Sequence, residues 1–466
     1  MMMTFNLALR NLLRNRRRSL ATLLGMAIGS TAILLFGGFK VNIGYEMQTT
    51  HVQKDGHLQI QHRDFYLYGS GNPTAYGISN YLKLLAAIQG DEVLRDIVMV
   101  ATPALQFGGI AGNYAASVSR TVIGHGYVAE DINRMRQWND FGLRSKAPLS
   151  AMEGSSPDAA VVGTGVARVL QLCDALKIDR CPKPEQQAKP DGEAIPDDIA
   201  QLGMLEKPSA GATTSRGAPK IEVLVVNARG APNVASLQVI RAEDQGIKEL
   251  DEVSMIMHLE RLQQLVYGRS EPKATSIMLQ LRHSEQIPLA RARLQPILER
   301  FSADQPLTVL DFQELNPFFV QTMLMFDTIF GFVFLLIGSI VLFTVSNTMN
   351  TTVVERTVEI GTLRAIGLRR GGILRLFVLE GALLGMFGAM FGAVLALFLA
   401  FVVNNSGMTW LPPASVAPLP FTVSVWGQNS MIVGTTLGLI VIATLSAWWP
   451  AYRAARLDVV EALRHV

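Results

Sequence analysis

Residues Asn347–Glu380 read NTMNTTVVERTVEIGTLRAIGLRRGGILRLFVLE, a short polar stretch caught between two long apolar runs. The run before it, 322–346, and the run after it, 372–403, are each long enough to cross ~30 Å of hydrocarbon at about 1.5 Å of rise per residue. Between them lie Arg356, Arg364, Arg369, Arg370 and Arg375, against Glu355 and Glu359. A short loop this rich in arginine, close to membrane ends, stays on the cytoplasmic side. Its spacing is helical: Val354, Val358, Gly361, Thr362 and Ala365 fall on one side, Glu355, Arg356 and Glu359 on another. The stretch therefore predicts a small amphipathic helix facing the cytoplasm and joined directly to two membrane helices. Such an element can receive a push from a soluble partner.

The string NTMN..VVERTVEIGTLRAIG.RR..ILRLFVLEGALLG resembles the signature of the FtsX/MacB-like permease superfamily, the membrane subunits of type VII ABC systems. The resemblance implies that Glu355, Arg356, Glu359, Ile360, Gly361, Arg364, Ala365 and Gly367 form a coupling helix that docks on a separate ATPase. A solvated charged loop would account for the charges, but not for their helical order beside Gly361 and Gly367.

Composition agrees with a membrane class. Only 17% of the 466 residues are charged, against roughly 25% in soluble chains, and the mean hydropathy is +0.27. The net charge of +3 argues neither for nor against a nucleic-acid partner, but the arginines crowd the membrane ends and no nucleic-acid motif accompanies them, so none is expected.

The segment 4–18 carries Phe5, Leu9, Leu12 and Leu13 on one face and Arg10, Arg14 and Arg17 on another, which suits a helix in the inner headgroup layer. The uncharged run Leu20–Phe39 spans next. A basic segment before an apolar core also describes a cleaved signal peptide. This core is too long for one, and GGFKVNIGYEM offers no small-x-small cleavage site, so it reads as a retained anchor. Gly25 and Gly29 have the spacing of a close helix contact.

From about Val41 to Asn316 the chain is polar enough for a water-exposed α+β domain. His57–Phe65 alternates as a strand does, 274–301 reads as strand then amphipathic helix, and 307–312 as a further strand. SRTVIGHGYVAED and DAAVVGTGVARVLQL resemble the family's external domain. Residues 182–219, rich in Pro, Gly, Ser and charge, predict a flexible loop. Cys173 and Cys181 lie on the outer side, where a disulfide between them is permitted, though spacing alone does not establish one.

Asn316-Pro317 opens the second span, with Asn as N-cap and Pro at the first helical position. The segment 404–427 contains no charged residue, which places it outside, and Trp410 and Trp426 suit an interfacial belt. The tail AYRAARLDVVEALRHV is a basic amphipathic helix resembling the family's closing segment, with Val459 where proline is usual.

The expected architecture is an α-helical membrane protein with four transmembrane helices and a large α+β periplasmic domain between the first and second. Its parts are a cytoplasmic amphipathic helix 1–18, spans 19–41, 317–349, 372–403 and 428–450, and a MacB-like periplasmic domain 42–316. A coupling helix 350–371, a periplasmic loop 404–427 and a cytoplasmic tail helix 451–466 complete it. Both termini are expected in the cytoplasm and the whole in a bacterial inner membrane.

No phosphate-cradling GxxxxGK[ST] occurs, and the dipeptide Gly-Lys is absent altogether, so no ATPase activity or cofactor is expected in this chain. ATP and Mg would belong to the partner. No HExxH or GxSxG appears. His57 and His62 are an odd number of residues apart, point to opposite faces of a strand, and read as surface histidines rather than a metal site. Asp327 and Glu380, within or near spans, are relay candidates by position, although Glu380 also belongs to the family's LEG pattern.

What the resemblance implies is a permease subunit paired with a second one, as homo- or heterodimer, above a separate ABC ATPase. It would work mechanically on a lipoprotein, lipid or other periplasmic cargo, with membrane lipids and a fusion protein or lipoprotein chaperone as further partners. HLQIQHRDFY and DFQELNPFFVQTM lean toward the lipoprotein-releasing, LolC/LolE-like branch. The alternative is an FtsX-like transmitter that transports nothing and activates a periplasmic enzyme.

Overall fold

The structure is a computed structural model and describes residues 2–14, 16–144, 147–178, 218–301, 305–411 and 418–457. The expected flexible loop falls largely on 179–217 and the end of the tail on 458–466, both outside the described residues. The chain divides into two compact units, one of Met1–Met47, Pro317–Trp410 and Leu419–Val466, the other of Gln48–Asn316 and Leu411–Pro418.

The first unit is helical. Its helices are α1 (Met2–Arg14), α2 (Arg16–Asp55, whose last eight residues group with the second unit), α3 (Pro317–Glu355), α4 (Thr357–Ala365), α5 (Arg370–Asn405) and α6 (Asn429–Arg456). Four of them, α2, α3, α5 and α6, are long and apolar enough to cross a membrane. Several boundaries differ from the sequence reading. The first amphipathic helix stops at Arg14, and Arg16–Arg18 already belong to α2, which runs on past residue 41 to Asp55. A 40-residue helix is about 60 Å long, twice the hydrocarbon thickness. Hydropathy locates only the part in lipid, so it cannot show where a helix continues through polar residues. The fourth span and the tail are likewise one helix through Pro450 to Arg456.

Glycines of α5 let the bundle close. A Cβ on Gly381 or Gly385 would sit 2.3 Å from Ala447 or 2.8 Å from Ala443 of α6. One on Gly388 or Gly392 would sit 2.8 Å from Met26 or 2.5 Å from Ser30 of α2. The hydroxyls of Ser30 and Thr31 donate to the Ala389 and Gly392 carbonyls there. The expected Gly25–Gly29 contact is not of this kind, since Gly25 faces open space and Gly29 meets only Ile337 of α3.

In the second unit, nine strands among the described residues form one sheet: β1 (Leu58–His62), β2 (Val98–Asn113), β3 (Val118–Tyr127), β4 (Ala159–Gly163), β5 (Lys220–Val226), β6 (Pro232–Glu243), β7 (Ser254–His258), β8 (Ser276–Leu281) and β9 (Leu307–Asp311). The 16-residue β2 joins two lobes. Its first part pairs with β8, which continues through β1 to β9, covered by helices Tyr81–Gly90 and Ile287–Phe301 around Leu58, Ile60, Leu84, Leu279 and Leu294. Its second part pairs with both β3 and β5. The order β2-β3-β7-β4-β6-β5 thereby returns to β2 and closes a barrel around Phe107, Val122, Val223, Leu237 and Met255. The IGHG of β3 follows from this core, because a Cβ on Gly124 would lie 2.2 Å from the Phe107 ring. The GTG after β4 follows from Asp251, whose carboxylate accepts from the Thr164 and Gly165 N–H groups at 2.9 Å each. A Cβ on Gly163 would lie 2.1 Å from the Asp251 carbonyl oxygen.

The expected strand His57–Phe65 is shorter. β1 ends at His62 and Phe65 opens a helical turn. His57 is not a surface residue but fully buried. Its Nδ1 accepts the Leu281 N–H at 3.0 Å, its Nε2 lies 3.1 Å from the Ser284 hydroxyl, and the ring stands edge-on to Trp138. Burial pulls its pKa down to about 3. Between that value and the usual ~6.5 the unfolded chain binds a proton that the folded one refuses. Stability is therefore complete above that range and is lost as pH falls through it, by up to ~1.4 kcal/mol per pH unit. We expect the protection factor of the Leu281 N–H, its exchange measured against the free-peptide rate at each pH, to fall steeply from pH 6 to pH 4, and His57→Asn to flatten that dependence. An unchanged slope in the variant refutes the assignment.

Candidate functional site

The second span does not give way to a coupling helix over 350–371 as expected. α3 stays helical to Glu355, breaks at Arg356 (φ −104°, ψ 16°), and the chain restarts as α4, Thr357–Ala365. Ile360, 2% exposed, anchors α4 among Val353, Ile373, Phe377 and Ala451, and Gly361 is buried beside it. Gly367, at φ +102°, ends the segment. The Leu368 N–H returns to the Leu363 carbonyl and the Gly367 N–H to that of Arg364, the pair of bonds that closes a helix C-terminus over a left-handed glycine. α5 then begins at Arg370.

The charged residues do not form a free face. Glu355 receives both terminal nitrogens of Arg18, at 2.7 and 2.8 Å, and Glu359 receives Arg14 at 2.6 Å. Arg356 turns inward. It lies 3.2 Å from Glu380 of α5 and donates to the Asn11 carbonyl at 3.2 Å, while the Asn11 amide donates to the same Glu380 oxygen at 2.6 Å. The side chains of Arg356 and Glu380 are 6% and 2% exposed. Arg364 donates to the Leu457 carbonyl beyond α6. The predicted charged residues are thus brought together, but as fastenings that tie the segment 355–364, from the end of α3 through α4, to α1, α2, α5 and the end of α6.

Beside these half-exposed ion pairs the segment also exposes apolar side chains. Ile366 is 79% exposed and Val354 72%, with Val358, Leu363 and Leu368 also exposed, and Ala365 beside them. Arg369, Arg370 and Arg375 border this surface, exposed and without an ion-pair partner among the described residues. Sequence reasoning missed Asn11, Arg14, Arg18 and the Leu457 carbonyl. One signal was available: Arg14 and Arg18 share the i, i+4 spacing of Glu355 and Glu359, as two antiparallel helices require to form both pairs. Glu380, a relay candidate by position, is held in this network. Asp327 pairs with Lys40 of α2. Among the described residues no group of three or more His, Cys, Asp or Glu could hold a metal ion.

Four candidate spans, a mixed α/β unit between the first and second, and a fastened helix between the second and third give the layout of a polytopic membrane protein. Residues 328–459 match the FtsX-like permease C-terminal family. The chain is 29% identical over 220 residues to an uncharacterized ABC transporter permease of Methanocaldococcus jannaschii, covering 46% of this chain and 51% of that protein. It is 24% identical over 362 residues to the lipoprotein-releasing system transmembrane protein LolC of Neisseria meningitidis, covering 73% and 84%. It is 32% identical over 143 residues to the macrolide export ATP-binding/permease protein MacB of Escherichia coli K12, covering 31% and 20%. The alignment thus spans about half the length of the archaeal relative and most of the LolC protein. The resemblance to FtsX/MacB-like type VII ABC permeases, with its lean toward the LolC-like branch, stands on these matches.

Proposed function

We propose that this chain is the permease subunit of an ATP-driven type VII ABC system, acting with a second permease subunit and a separate ABC ATPase that binds ATP and Mg. One observation carries the reading: α4 exposes apolar side chains while its charges are spent on its own bundle. A partner that grips Val354, Val358 and Ile366 moves a segment pinned to α1, α2, α5 and α6, so the displacement enters the whole membrane unit. Arg16–Arg18 at the start of α2 and the arginines at 356, 364, 369, 370 and 375 between α3 and the start of α5 support a cytoplasmic face there and cytoplasmic termini, and the uncharged 404–427 supports the opposite face. The LolC likeness over most of the chain supports a bacterial inner membrane and a lipid-anchored cargo.

Purification from native membranes is expected to recover the chain with an ABC ATPase whose hydrolysis rate changes in its presence. Recovery without any ATPase, and no response to one added back, refutes the proposal. Cys173, itself buried, opens a short helix, and Cys181 lies outside the described residues. On an oxidising outer face the two are proposed to be bonded. Mass spectrometry of the non-reduced protein is expected to find them linked, and two free thiols would refute this.

A further inference from the structure

The outer face of the barrel carries a second apolar surface, and strand register shows its layout. Ile110 of β2 stands opposite Leu224 of β5, and Leu224 opposite Val234 of β6. One step along the strands, Ile123 of β3 stands opposite Gly108 of β2, and Val226 of β5 opposite Pro232 of β6. Ile110, Ile123, Leu224, Val226 and Val234 are each between 36% and 52% exposed, while the alternate residues Phe107, Val122, Val223, Val225 and Ala235 fill the barrel core. Apolar residues scattered singly on a sheet need no explanation, but Ile110, Leu224, Val226 and Val234 lie on the three consecutive strands β2, β5 and β6 and form a patch of the kind that marks an interaction surface. Ile123 on β3, by contrast, is three strands round the barrel from Val234 and faces away from it.

The layout is complementary to itself. Consider a two-fold axis in the plane of contact, crossing β5 between Leu224 and Val226. It lays β5 antiparallel over its copy and exchanges the two rows. Ile110 of each molecule then comes over Gly108 of the other, where a Cβ would meet nothing within 4 Å. Leu224 comes over Val226 and Val234 over Pro232. The charges match as well: Glu222 lies beyond one row and Arg229 in the turn beyond the other, both exposed and without an ion-pair partner among the described residues. The same axis brings Glu222 of each copy toward Arg229 of the other.

We propose that this barrel face is the contact between the extracytoplasmic domains of two copies of this chain. The proposal rests on the paired-permease reading, which it deepens by assigning a surface and a symmetry. Two copies held in one membrane raise their effective concentration, so a patch smaller than a free-standing dimer interface suffices.

The test uses the full chain in native membranes, with Val226→Cys treated with a bis-maleimide of about the ~10 Å sheet-to-sheet spacing. Leu82→Cys, on the other lobe and exposed, is the control. A cross-linked dimer is expected with Val226→Cys and not with Leu82→Cys or the parent chain. Adding Glu222→Arg should lower the yield several-fold, and adding Arg229→Glu to that variant should restore it. Native mass spectrometry reports pairing independently. A dimeric protein that gives no Val226→Cys cross-link refutes this face while leaving the paired permease intact. A cross-link to a different protein, or a yield indifferent to Glu222→Arg, also refutes it. A monomer by both measurements refutes the paired reading as well.

Discussion

Val358→Asp combined with Ile366→Asp is expected to weaken binding of the partner ATPase by roughly 100-fold or more, ~3 kcal/mol, as loss of central interface anchors does. Both side chains are exposed, so expression and membrane insertion should be unaffected. Hydrolysis should then proceed without responding to the permease. The experiment separates two pictures of the same helix. A charged docking face would make Glu359→Lys the damaging change. Here Glu359 is held by Arg14, so Glu359→Lys should loosen the attachment of α1, and Arg14→Glu in the same chain should compensate. ATPase binding that survives Val358→Asp/Ile366→Asp but is lost in Glu359→Lys would return the docking role to the charges. Measuring binding and hydrolysis side by side also tells a lost contact from a misfolded bundle.

Arg356→Met should destabilise the membrane unit by ~3–5 kcal/mol, since removing one partner leaves the other as an unpaired buried charge. Glu380→Leu should cost about as much. Joining the two changes should restore much of the loss, because two apolar groups replace a pair whose mutual attraction was offset by desolvation. The double variant should therefore fold, as read by its midpoint of unfolding in detergent, yet respond poorly to the ATPase, because the fastening between α4 and α5 is gone. A double variant less stable than either single one would show that Asn11 and the surrounding hydrogen bonds, rather than the ion pair, hold this corner.

The four candidate spans, the inserted α/β unit and a short helix between the second and third spans were legible in the sequence, because each rests on a local property. Apolar length marks a candidate span, and the mixture of strand and helix periods marks the insert. Gly367 was legible too, since a left-handed helix stop asks for glycine. What each charge does was not legible. Glu355, Arg356 and Glu359 are near neighbours in sequence, yet they reach Arg18, Glu380 and Arg14, whose pairing depends on how α1, α2 and α5 pack. His57 read as a surface residue because alternation along a strand says nothing of what covers it, and only Trp138 and Leu281, far along the chain, bury it. Gly388 and Gly392 read as part of an apolar run, and only the approach of Met26 and Ser30 shows why no side chain fits there. Local sequence determined which elements form and which helices are long and apolar enough to cross a membrane. Contacts between residues hundreds of positions apart decided which of their charges are fastenings and which surface is left for a partner.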